Sequence, residues 1–152
     1  MGIEELLASR GLILPPPPQA VASYVPVRLS GTLAYVSGQI PMVDGEMLHP
    51  GRVGAEVSLG QAQEAAARCA LQALSALKAS VGSLDRVVGV VQLSVFVASA
   101  PGFTDQPKVA NGASDLLVGL FGESGKHARL AVGVSELPLR ASVEVALVVE
   151  IR

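Results

Sequence analysis

The chain has 152 residues, enough for one ordinary domain with its own core. Half the residues are hydrophobic but only 3% are aromatic and none is tryptophan, so Ala, Val, Leu and Gly must do the packing. A net charge of −2, with eleven Lys and Arg scattered along the chain, is not the footprint of a protein that grips nucleic-acid phosphates. The single Cys69 excludes an intrachain disulfide, and two separated histidines offer no metal cluster. A mean hydropathy of +0.50 is high for a monomer, yet charges or Gly and Pro interrupt every apolar run before it reaches a membrane span. The surplus apolar surface points to burial between subunits. The N-terminus lacks a basic region followed by an apolar core, so no secretory signal is expected. A cytoplasmic protein without metal or cofactor is the expectation.

Residues 1–20 read as an extension ahead of a single domain at 21–152. Met1 to Arg10 suit a short amphipathic helix with Ile3, Leu6 and Leu7 on one side, stopped by Gly11. Pro15 to Pro18 then favour polyproline II, as a strap over the surface or as a PxxP ligand. Val21 to Leu29 reads as an edge strand, because Pro26 cannot donate to a ladder. Ser30-Gly31 makes a turn into a second strand, Thr32 to Ser37, whose end carries Ser37-Gly38-Gln39-Ile40-Pro41. Glycine there lets backbone approach a ligand. Val43 to Val57 is loop-like, with His49 at the surface.

Ser58-Leu59-Gly60-Gln61 has capping-box spacing, and Leu59, Ala62, Ala66, Cys69, Ala73 and Leu77 form a helical stripe ending near Gly82. Cys69 lies inside that stripe as a small core residue. Asp85 to Ala98 is the next strand. Thr104 is the expected N-cap of a second long helix, with Pro107 in its first turn. Val109, Ala113, Leu116, Leu117, Leu120 and Phe121 give that helix a buried face and Gly122 closes it. Asn111 lies on its first half, as a capping or surface residue or as part of a site.

The stretch from His127 to Ile151 organises the rest. Alternation sets Arg129, Ala131 and Gly133 on one strand face, an arginine followed by two very small residues, which leaves space beside a fixed cation. In the last strand Val143, Val145, Leu147, Val149 and Ile151 share one face, and Glu144 shares the other with Ala146 and Val148. Charges in such apolar strands need a partner or a task. Arg129 and Glu144 are either a structural ion pair or a substrate-facing pair.

The Ala-Arg, Gly-Val, Leu-Pro and Val-Glu-Val elements at these spacings resemble the C-terminal signature of the Rid family of reactive intermediate deaminases, also described as YjgF-like and labelled endoribonuclease L-PSP. Ser37-Gly38-Gln39-Ile40-Pro41 resembles that family's N-terminal element. The resemblance covers about residues 21 to 152. It implies an α+β, chorismate-mutase-like fold of order β-β-α-β-α-β-β, with two helices on one face of the sheet. Homotrimers with a central barrel and sites between subunits are implied as well. It further implies that Arg129 clamps a substrate carboxylate, and that Glu144, fifteen positions on, assists proton transfer and hydrolysis. Tyr24, Gly38 and Asn111 match pocket positions, and backbone near Ala131 lines the site. Many relatives carry cysteine where this chain has Ala131, so no thiol is available there. The implied activity is hydrolytic deamination of 2-aminoacrylate-type enamines and imines to 2-keto acids and ammonia. The alternatives are a non-catalytic trimer that binds small carboxylates or protein partners, and a ribonuclease, against which the acidic balance and the missing histidine pair speak.

Overall fold

Backbone hydrogen bonding sorts the described residues into five strands of one sheet, a small separate hairpin and three α-helices. The computed structural model describes residues 1–19 and 21–152; Ala20, where the extension is expected to end, lies outside the described residues. In chain order the elements are α1 (Ile3–Ser9), β1 (Val27–Ser30), β2 (Leu33–Gln39), β3 (Met42–Val43), β4 (Glu46–Met47), α2 (Leu59–Val81), β5 (Val87–Ala98), α3 (Gln106–Phe121), β6 (Ala128–Val134) and β7 (Val143–Ile151). The sheet order is β1-β2-β7-β5-β6, antiparallel except for β5 and β6. Helix α3 makes the crossover that parallel neighbours require. This is an α+β arrangement with α2 and α3 on one sheet face, as the resemblance implies.

The two long helices form for reasons local to their sequences. Ser58 accepts from Gln61 N while the Gln61 side chain accepts from Ser58 N, so α2 starts on a complete capping box. Gly82, at φ 92°, ends it. The α2 stripe is buried, and Gly112 lets α3 lie directly on it, since a Cβ there would collide with the Gln63 carbonyl oxygen. Cys69 is fully buried and donates weakly to the Val143 carbonyl at 3.6 Å; burial pushes its thiol pKa well up, as befits a core residue.

Sheet register fixes which residues share a face. Val36, Leu147 and Leu93 form one row under the helices, and Arg129 ends that row at the sheet edge. The rows Val145–Val95–Ala131 and Val143–Val97–Gly133 follow on the same face. On the opposite face the rows are Tyr35–Val148–Gln92–Ala128, Ala146–Ser94–Leu130 and Glu144–Phe96–Val132. Among the described residues no helix covers this second face, and Tyr35, Leu130 and Val132 are exposed on it.

Several expectations are corrected. The first strand is confined to Val27–Ser30, because Pro26 has no N–H to enter the ladder and the chain before it bends. A 3-10 turn over Leu84–Arg86 delays β5 to Val87. Asp105, not Thr104, precedes α3, with Pro107 in its first turn. The loop after Pro41 contains the β3–β4 hairpin, closed by Asp44 and Gly45 at φ 50° and 82°, the left-handed pair that a tight hairpin demands. Met1–Arg10 does supply a helix, and its Leu7 is buried in the common core. In the proline segment, expected as a strap, the Pro15 carbonyl accepts from buried Ser75 of α2 at 2.5 Å.

Candidate functional site

Arg129 and Glu144 are not an ion pair within one chain. Both β6 and β7 border β5, so two interstrand spacings, about 10 Å, separate them. Glu144 lies level with Phe96 and Val132, three residues or about 10 Å along the strands from Arg129. The difference of an odd number of residues also puts the two side chains on opposite sheet faces. The structural pairing considered from the pattern is thereby excluded, and each charge has its own surroundings.

Arg129 points to the helix-covered side at the open edge of the sheet. Its Nη1 donates to Asn111 Oδ1 at 2.8 Å and to Ser114 Oγ at 3.1 Å. Asn111, Ser114 and Val118 recur at i, i+3 and i+7, so α3 presents them on one face. Among the described residues no carboxylate pairs with Arg129. Its cation is therefore held by neutral acceptors and left uncompensated. A cavity of about 350 Å³ opens beside it, lined by Ser114, Val118, Lys126, His127 and Arg129. The open space expected above Ala131 and Gly133 is absent. Ala131 packs partly against the core, and the site of a Gly133 Cβ is taken by Gln106 Nε2 at 2.8 Å and Ser99 Oγ at 3.0 Å, because the start of α3 docks over that end of β6.

Glu144 occupies the opposite face, where β2 bulges between Val36 and Gln39. The bulge brings Gly38 against the carboxylate: a Cβ on Gly38 would sit 2.5 Å from Glu144 Oε1. Burial raises the Glu144 pKa above the ordinary carboxylate value, since desolvation disfavours the ionised form. A half-buried carboxyl of this kind can hold a proton that an exposed one would lose. It lines a cavity of about 320 Å³ whose walls include Tyr24, Gly38, Ile40, Gln72 and Pro138. Pro18 and Gln19 of the strap complete the wall, a contribution that the proline pattern alone did not disclose. Tyr24 is half exposed, at 52%.

Of the sequence-predicted residues, Asn111 thus gathers with Arg129, and Tyr24 and Gly38 gather with Glu144. The two groups do not meet in one chain. His127 and Ser114 were missed; the only sequence signal was His127 standing two residues before Arg129.

A mixed five-stranded sheet of order β1-β2-β7-β5-β6 with α2 and α3 packed on one face is the chorismate-mutase-like arrangement. A profile described as "YjgF/chorismate_mutase-like, putative endoribonuclease" matches residues 4–151. The chain belongs to the YjgF family. It is 48% identical over 142 residues to Protein TCP17 of Trypanosoma cruzi, across 93% of this chain and 89% of that protein. The crystal structure of Atu1372, a protein of unknown function from Agrobacterium tumefaciens, is 46% identical with a TM-score of 0.92, covering 99% of this chain and 92% of that one. A Shewanella oneidensis protein whose structure is named "a putative endoribonuclease" is 31% identical with a TM-score of 0.95, covering 99% of this chain and 100% of that one.

Proposed function

We propose that this chain hydrolyses 2-aminoacrylate-type enamines and the corresponding 2-imino acids to 2-keto acids and ammonia, in sites assembled between copies of itself. The observation that carries the reading is Arg129, a guanidinium pinned through one nitrogen by Asn111 and Ser114 at an open cavity, with no carboxylate partner among the described residues. Its remaining fork suits the two parallel hydrogen bonds of a substrate carboxylate. Glu144 supplies the second requirement, a desolvated carboxyl that can carry a proton. In the proposed reaction Glu144 protonates C3 of the enamine, which becomes the imine. Water then adds to C2 of the protonated imine, one of its protons passes to nitrogen, and collapse of the tetrahedral adduct expels ammonia and leaves the ketone as the remaining hydroxyl proton returns to the Glu144 carboxylate. Such imines already hydrolyse in water, so positioning and one proton transfer suffice.

Because Arg129 and Glu144 face opposite sides of one sheet, their cooperation needs Arg129 of one protomer beside Glu144 of another. The uncovered face, with Tyr35, Phe96, Leu130, Val132 and Val148, supplies apolar surface for that assembly as a homotrimer. The endoribonuclease name of relatives is theirs; here eleven dispersed cations and a net charge of −2 favour a small carboxylate over RNA. The test is keto-acid and ammonia release from a 2-imino acid generated in situ by an amino-acid oxidase, measured against spontaneous hydrolysis. Acceleration is expected. A rate equal to the uncatalysed one would leave a carboxylate-binding module instead.

A further inference from the structure

Arg129 is held by more than one neighbour, and the neighbours are themselves held. His127 Nδ1 lies 2.6 Å from the Gly125 carbonyl oxygen, an acceptor only, so Nδ1 must carry the hydrogen. In the neutral ring Nε2 is then an acceptor. Ser114 Oγ lies 2.9 Å from that Nε2 and must donate to it. With its hydrogen so committed, the serine oxygen turns its lone pairs outward, and one accepts from Arg129 Nη1 at 3.1 Å. Asn111 Oδ1 accepts from the same nitrogen at 2.8 Å. Each bond in this chain sets the direction of the next. Ser114 is nearly buried, at 9% exposure, so water competes poorly for the hydroxyl.

We infer that the backbone carbonyl of Gly125, His127 and Ser114 form a hydrogen-bond relay that fixes the Arg129 guanidinium with its outer prongs aimed at the substrate, making Ser114 and His127 positioning residues for carboxylate recognition. The inference rests on the carboxylate-clamp reading of Arg129. Its chemical logic is that a long, rotamer-rich side chain gives bidentate geometry only when its orientation is settled beforehand. Neutral acceptors settle it without cancelling the charge that the substrate must meet. A carboxylate in place of Ser114 would hold the arginine more tightly and compete with the ligand.

The test uses the full chain and the variants Ser114→Ala, His127→Leu and Arg129→Lys. Two probes, 2-oxobutanoate and its uncharged amide, are titrated by calorimetry. Ser114→Ala should weaken 2-oxobutanoate about tenfold, the value of one hydrogen bond to a charged group, and leave the amide unchanged. KM for the imine should rise by the same factor while kcat is kept, because Glu144 is untouched. His127→Leu should move the same way, since it frees the serine hydrogen to rotate. Wild-type carboxylate affinity in both variants, with Arg129→Lys impaired, would overturn the relay and leave the clamp standing. Wild-type affinity in Arg129→Lys as well would remove the clamp and the relay together. Loss of both probes in Ser114→Ala would mean a general structural role and also overturn the inference. If His127→Leu does not fold, Ser114→Ala decides alone.

Discussion

Gly38→Ala reaches the proposed chemistry through a single added methyl group. The backbone at Gly38 is not in the left-handed region, so alanine brings no conformational strain there. The new Cβ would lie 2.5 Å from Glu144 Oε1, 3.1 Å from Cδ and 3.4 Å from Cγ. Ordinary contact begins near 3.5 Å, so the carboxylate has to retreat by about 1 Å. What moves is the far end of a flexible side chain, and the fold should tolerate it with little change in Tm. A displacement of about 1 Å at a catalytic group costs roughly a hundredfold in rate, or about 2.7 kcal/mol. The assay is kcat/KM on the in situ imine, with Tm and 2-oxobutanoate affinity measured on the same sample. The expected result is a roughly hundredfold loss of kcat/KM with stability retained. Wild-type activity would refute the idea that the position of Glu144 matters, and a matching loss of folded protein would refute the claim that the damage is local.

Three further outcomes follow from the same geometry. Arg129→Lys keeps the charge but loses the fork and the bonds to Asn111 and Ser114, so kcat/KM should fall about ten- to a hundredfold while assembly, followed by light scattering, is unchanged. Burial raises the Glu144 pKa, so the folded state binds this proton more tightly than the unfolded one. Its contribution to stability is present in full below the ordinary carboxylate pKa and is lost as pH rises through the raised value. Glu144→Gln should therefore match the parent Tm at acid pH and exceed it at neutral pH, while activity collapses; an equal Tm difference at all pH values would contradict the assigned cause. Sedimentation should give a particle about three times the 15.5 kDa chain mass, and a stable monomer would leave the uncovered face unexplained.

Much of the scaffold was legible because its signals are local. Ser58 and Gln61 announce α2, Gly82 and Gly122 end the long helices, and strict alternation from Val143 to Ile151 marks the strand buried on one face. The β3–β4 hairpin was not legible, since strands of two residues carry no periodicity. Positive φ at Leu139 and Arg140, beside Pro138 in the wall of the Glu144 cavity, likewise has no sequence signal, because neither residue type favours that conformation. The two charges of the site stood out in apolar strands, yet their relation did not. Alternation within each strand could not tell that β5 intervenes or that register sets them on opposite faces. The acceptors of Arg129 were similarly hidden: Asn111 and Ser114 meet it only through the docking of α3 on β6, as does Gln106 over Gly133. The strap was expected as a surface element, but its contribution to the cavity wall depends on where α2 carries Ser75.

The central claim is that Arg129 of one protomer works with Glu144 of another, and subunit complementation tests it most directly. Arg129→Lys and Glu144→Gln chains, each expected to keep at most about a tenth of the parent activity alone, are unfolded, mixed in equal amounts and refolded together. In a cyclic trimer assembled at random, three-quarters of the particles are mixed, and each mixed particle contains one of three interfaces with both residues intact. The account predicts recovery of about a quarter of the parent activity. No recovery from demonstrably mixed particles would contradict it.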